Sequence, residues 1–90
     1  MKIEMQIVDL YHELQCEIKR TMPNIKGPFS IVSDYAKALP NEKRNMLYAI
    51  RDFRNHWAFD SNRPKLPDNY QEWIDLLKAE ISYLKTKSFK

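Results

Sequence analysis

Arg51, Arg54, Asn55 and His56 fall within one short run, Ile50-Arg51-Asp52-Phe53-Arg54-Asn55-His56-Trp57-Ala58-Phe59-Asp60, and their types are the ones that could do chemistry. A guanidinium is always charged and presents a fork of donors suited to phosphate, whereas an imidazole titrates near neutrality and can move a proton. Together the two groups suit the cleavage of RNA. On an ideal helix Arg51 and His56 differ by about 140° in direction and about 7.5 Å in height. The two cannot both point straight at one spot, but the reach of the arginine allows them to converge, more readily where the helix end unwinds or a second subunit supplies the opposite wall.

The elements that must position these residues read as helices. Ile3, Ile7, Tyr11, Leu14 and Ile18 recur at steps of three and four, which predicts an amphipathic helix over residues 2–22. Pro23 ends it, and residues 24–28, with the only glycine at Gly27, form the first connection. Phe29, Val32, Tyr35, Ala36 and Leu39 predict a second helix of about ten residues, with Ser30 as a cap and Pro40 closing it. Asn41 offers a capping acceptor and Glu42 a favourable charge for a third helix, whose buried stripe is Met46, Leu47, Ile50, Phe53 and Trp57. It ends near Phe59. Asp60, Ser61, Asn62, Pro64 and Pro67 break the pattern, and Asp68 with Gln71 has the spacing of a capping box for a fourth helix. Tyr70, Trp73, Ile74, Leu77, Ile81 and Leu84 form its apolar face, and residues 85–90 make a basic, loose tail.

No strand-like alternation persists and no internal repeat is visible, so the expected fold is all-α: a small antiparallel up-down bundle of about four helices in one domain over residues 1–90. Helices one, three and four are expected to form the main core, with helix two as a short brace. Fifteen Lys and Arg against twelve Asp and Glu give a net charge of +3 and a pI near 9.0, compatible with a polyanionic partner but also with an ordinary solvated surface. The one cysteine, Cys16, excludes an internal disulfide and a cysteine-rich metal site. Lys2, Glu4 and Asp9 interrupt the N-terminal apolar residues, so neither a secretory leader nor a membrane span is expected, and the chain reads as cytoplasmic. A chain of 90 residues buries limited surface, and a homodimer is expected to cover an exposed apolar face.

Each candidate residue also has a structural role open to it. Arg51 and Arg54 can pair with Asp52, Asp60 or Asp68, or cap carbonyls at the end of the third helix. His56 can be a surface residue, Asn55 a backbone cap, and Trp57 and Phe59 core or interface residues. His12 has no second histidine one turn on, so no metal site is expected. There is no glycine-rich phosphate loop and no nucleophile elbow, and no cofactor is expected.

Arg54-Asn55-His56-Trp57-Ala58 resembles the local R-N-x-x-A-H form of the motif of HEPN domains, small helical nucleic-acid-associated modules, many of them metal-independent ribonucleases. Residues 27–39 resemble the glycine-led short helix before that motif, and residues 46–53 its apolar approach. In this register Phe59 stands where the family places its histidine. A second register, from Arg51 to His56, keeps the looser R-x4-H spacing. The resemblance implies a fold of HEPN type and, where His56 is active, cleavage of RNA by attack of the 2′-hydroxyl on the adjacent phosphorus. His56 would then be the general base or acid, Arg51 or Arg54 would stabilise charge on the phosphate, and Asn55 or Asp52 would orient them. Two classes of function follow: an endoribonuclease of toxin-antitoxin or defence type, and an inactive member that binds RNA or a protein partner.

Overall fold

The computed structural model describes residues 3–22, 31–59 and 65–86, with Ala58 and Phe59 described in backbone only. The chain is an all-α bundle of four helices: α1 Ile3–Thr21, α2 Ile31–Ala36, α3 Asn41–Phe59 and α4 Tyr70–Thr86. Gly27, Phe29, Ser30 and the breaker residues 60–64 lie outside the described residues.

In α1 the three-and-four spacing becomes one buried stripe of Ile7, Tyr11, Leu14 and Ile18, with Ile3 half-buried at its end. Glu4 in the first turn and Lys19 and Arg20 in the last match the helix dipole. The helix α2 has 6 residues, shorter than the spacing predicts. Its end tightens, because the amides of Ala38 and Leu39 donate to carbonyls three residues back, Tyr35 and Ala36, at 3.2 and 2.9 Å. Pro40 is the cause: a proline disfavours α-helical geometry in the residue before it.

Pro40 also begins α3, its carbonyl accepting from the Arg44 amide at 2.9 Å. Asn41 therefore lies inside the first turn, and its Oδ1 accepts from the Arg44 side chain. At the start of α4 the spacing predicted for Asp68 and Gln71 is used one residue later by Asn69 and Glu72, whose side chains bond to each other. Asn69 flanks the helix, its carbonyl accepting from the Glu72 amide at 2.9 Å and its Nδ2 donating to Glu72 Oε2 at 3.0 Å. Gln71 turns outward to Asp75. Both Asp68-x-x-Gln71 and Asn69-x-x-Glu72 have the right spacing, and the helix starts one residue later than the first of them requires.

The core joins Ile7, Leu14 and Ile18 to Leu47, Ile50, Leu77 and Leu84, all 0% exposed. The closest packing is of α1 on α4, followed by α2 on α3, so α2 is a full wall of the core against α1 and α3 rather than a brace. Ile31, Val32, Tyr35 and Ala36 are all buried there. Truncating a filled position such as Leu77 to alanine costs about 2–5 kcal/mol.

Among the described residues two polar side chains are buried with this core, Thr21 and Glu80, and Glu80 is the charged one. Glu80, 5% exposed, accepts a hydrogen bond from the Tyr35 hydroxyl at 2.5 Å, and Lys43 Nζ stands 3.7 Å from its other oxygen. The carboxylate thus ties α4 to α2 and α3. Burial, reinforced by the adjacent carboxylate, pushes the Tyr35 phenol well above its ordinary range, so the hydroxyl stays a donor.

Candidate functional site

The core fixes how α3 presents its charged residues. With Leu47, Ile50 and Phe53 facing inward, a turn of about 100° per residue sends Arg54 and Arg51 to one flank of the helix and His56 to the other. Aromatic packing identifies the flanks. Phe53 stacks on Trp57 with ring centres 6.1 Å apart and meets Trp73 of α4 edge to face at 5.7 Å. The Phe53 side, which is also the His56 side, therefore faces α4, and the arginine side faces α1 and α2.

Arg51 is held in three ways. Its Nη1 donates to Ser33 Oγ of α2 at 2.6 Å, its Nε and Nη2 donate to Asp52 Oδ1 at 3.3 and 3.1 Å, and its guanidinium carbon lies 5.2 Å from the centre of the Tyr48 ring. The expected pairing with Asp52 is thus present. Its side chain is 32% exposed.

Arg54 is placed differently. Its guanidinium carbon lies 4.9 Å from the centre of the Tyr11 ring on α1, and its Nε is enclosed without a hydrogen-bond partner. No carboxylate among the described residues forms an ion pair with it. Burial raises the Tyr11 phenol above its usual range, against the opposing pull of Arg54, which keeps the ring neutral beneath the cation.

Arg54 lines a pocket of about 280 Å³ with Val8, Asp9, Tyr11, His12 and Gln15. The imidazole in this pocket is that of His12. His56 and Asn55 are exposed, and His56 lies about 160° around the helix from Arg54. Within one chain Arg51 and Arg54 thus share a flank of α3, although only Arg54 lines the pocket, and His56 lies on the other flank. The single cleft expected for all three is not formed by one copy. The Phe59 side chain, on which the first motif register turns, lies outside the described residues.

On the His56 flank a larger hollow of about 560 Å³ opens between α3 and α4, but Glu42 and Glu72 line it and no cationic side chain does. A phosphate is repelled there. Among the described residues no three His, Cys, Asp or Glu side chains stand close enough to hold a metal ion, and no helix is long and apolar enough to cross a membrane.

Sequence reasoning misses Tyr11 and His12 as neighbours of the arginines. Weighing His12 only as a zinc ligand hides it, although Val8, His12, Gln15 and Lys19 follow helical spacing on one face of α1. Comparison with protein-family models, with curated proteins and with solved structures returns no match.

Proposed function

We propose that the chain is a HEPN-like helical module that binds RNA, with Arg51 and Arg54 holding its phosphates. The observation that carries this reading is the placement of both guanidinium groups on one flank of α3, with Arg54 paired to no carboxylate among the described residues and lining an open pocket. A fork of donors beside an open pocket is the arrangement that takes a phosphate oxygen. The opposite flank, with its two glutamates, supports no such contact.

Binding rather than cleavage is the activity favoured. Cleavage by the route the HEPN resemblance implies needs an imidazole and a guanidinium on one phosphate, and His56 occupies the other flank of the helix that carries the arginines. A second copy of the chain would have to present its own His56 to the arginine flank of the first. The decisive experiment is fluorescence anisotropy of a labelled single-stranded RNA across a salt series. Phosphate contacts make log K fall with log salt by about 0.7 per contact. Binding with that dependence supports the reading, and no binding at low salt overturns it in favour of a protein partner. Incubation of the same RNA with wild-type and His56→Ala protein reads the cleavage route, and equal rates remove it.

A further inference from the structure

The pocket beside Arg54 does not stand alone. A smaller one of about 110 Å³, lined by His12, Gln15, Cys16, Lys19 and Ile31, shares His12 and Gln15 with it. The two form one furrow along α1, from Arg54 to Lys19. We infer that this furrow is the track on which a single RNA strand lies, with one phosphate at Arg54 and a later one at Lys19. The inference rests on the RNA-binding reading above and adds to it a surface on α1 that the arginine motif does not include.

The donor set carries the argument. Arg54 supplies a guanidinium, His12 a ring N–H in either tautomer, Gln15 an amide NH2 and Lys19 an ammonium, and all four can donate to phosphate oxygens. His12, Gln15 and Lys19 follow one another at steps of three and four, so they stand in a row on one face of α1. The rise from His12 to Lys19 is about 10.5 Å, longer than one nucleotide and too long for a single small anion. Lys19 is exposed, and no ion pair occupies it among the described residues.

Charge also gives the track a direction. Asp9, the one carboxylate on the lining, lies at the Val8 end, one turn before His12. A strand held at Arg54 is repelled from that end and led toward Lys19. Another hollow, between α1 and α4, offers less: of its two lysines, Lys85 is spent on Glu13 at 2.8 Å.

Cys16 makes the track measurable. It is the only cysteine in the chain, it is exposed, and its Sγ lies in the furrow 3.7 Å from His12 Nε2. The experiment follows alkylation of Cys16 by N-ethylmaleimide in the full chain, with and without a saturating single-stranded oligouridylate of about 16 nucleotides, alongside anisotropy of the same RNA. Bound RNA is expected to slow alkylation about tenfold, since a strand lying in the furrow blocks access to the thiol. In parallel, Lys19→Gln should weaken binding and lower the salt slope by about 0.7, the share of one single-strand phosphate contact. Both effects are required. RNA that binds while alkylation or the Lys19→Gln slope stays unchanged overturns the furrow and leaves RNA binding standing. Wild-type protein that binds no RNA overturns the RNA reading itself.

Discussion

The guanidinium of Arg54 on α3 rests 4.9 Å from the centre of the Tyr11 ring on α1, and this contact sets the charge of the third helix against the face of the first. The arginine is half-buried, and its enclosed Nε makes no hydrogen bond. The electron-rich face of the ring helps to hold the group in place, a contact of about 0.5–2 kcal/mol depending on how far it is desolvated.

Tyr11→Phe keeps that face and should bind single-stranded RNA like the wild type. Tyr11→Leu removes it and lets the guanidinium swing, with affinity expected to fall by up to about thirtyfold, the equivalent of about 2 kcal/mol. Anisotropy titrations of the two variants check this, with thermal melts to confirm that both remain folded. Equal loss in both would assign the effect to the hydroxyl instead of the ring.

Tyr35 and Glu80 give the bundle an alkaline limit. The Tyr35 phenol is raised from an ordinary value of 10.0, by burial first and by the Glu80 carboxylate second. Below about pH 10 folded and unfolded chains both keep this proton, and the contribution of the Tyr35–Glu80 bond is fully present. Above it the unfolded chain loses the proton first, so stability falls as pH rises. Tyr11 shifts in the same direction and adds to the slope. Tyr35→Phe should therefore flatten the alkaline limb without abolishing it, and at neutral pH should cost about 1–3 kcal/mol, because Glu80 loses its donor in the core. Urea denaturation at a series of pH values measures both. An unchanged alkaline slope in Tyr35→Phe would remove this residue as the cause.

The start of α4 separates two caps of equal spacing. Asn69→Ala should destabilise the fold by about 1 kcal/mol, the usual cost of replacing an asparagine in the residue that flanks a helix start, while Asp68→Ala should change it by less than about 0.5 kcal/mol. Denaturation midpoints of the two variants decide it, and a larger effect at Asp68 would restore the box read from sequence.

The bundle was legible because its signals are local. Repeats such as Ile7, Tyr11, Leu14 and Ile18 place α1, α3 and α4 to within about two residues, α4 running on through Lys85 and Thr86 of the expected loose tail, since a helix must turn its apolar residues to one side. The miss at α2 came from Pro40, which tightens the preceding turn as well as ending it. Glu80 was illegible for another reason: a carboxylate beside Leu77 and Ile81 reads as the edge of a polar face until Tyr35 is known to meet it. At the site, the choice of Arg51 and Arg54 came from their chemistry, and helical spacing alone puts His56 on a different bearing. Tyr11 and His12 are about forty residues away from those arginines in sequence. Only the packing of α1 beside α3 brings them to one pocket with Arg54.

The central claim is that the arginine flank of α3, and not the flank that carries His56, meets RNA. It is tested most directly by comparing Arg51→Gln/Arg54→Gln with His56→Ala for single-stranded RNA binding across salt, once helicity and melting show both variants folded. The double variant is predicted to lose about tenfold or more in affinity at moderate salt, with the slope of log K against log salt reduced by about 1.4 for two lost phosphate contacts, and His56→Ala to match the wild type. A double variant that binds with undiminished affinity and slope, or a His56→Ala variant that loses as much as it does, would contradict the account.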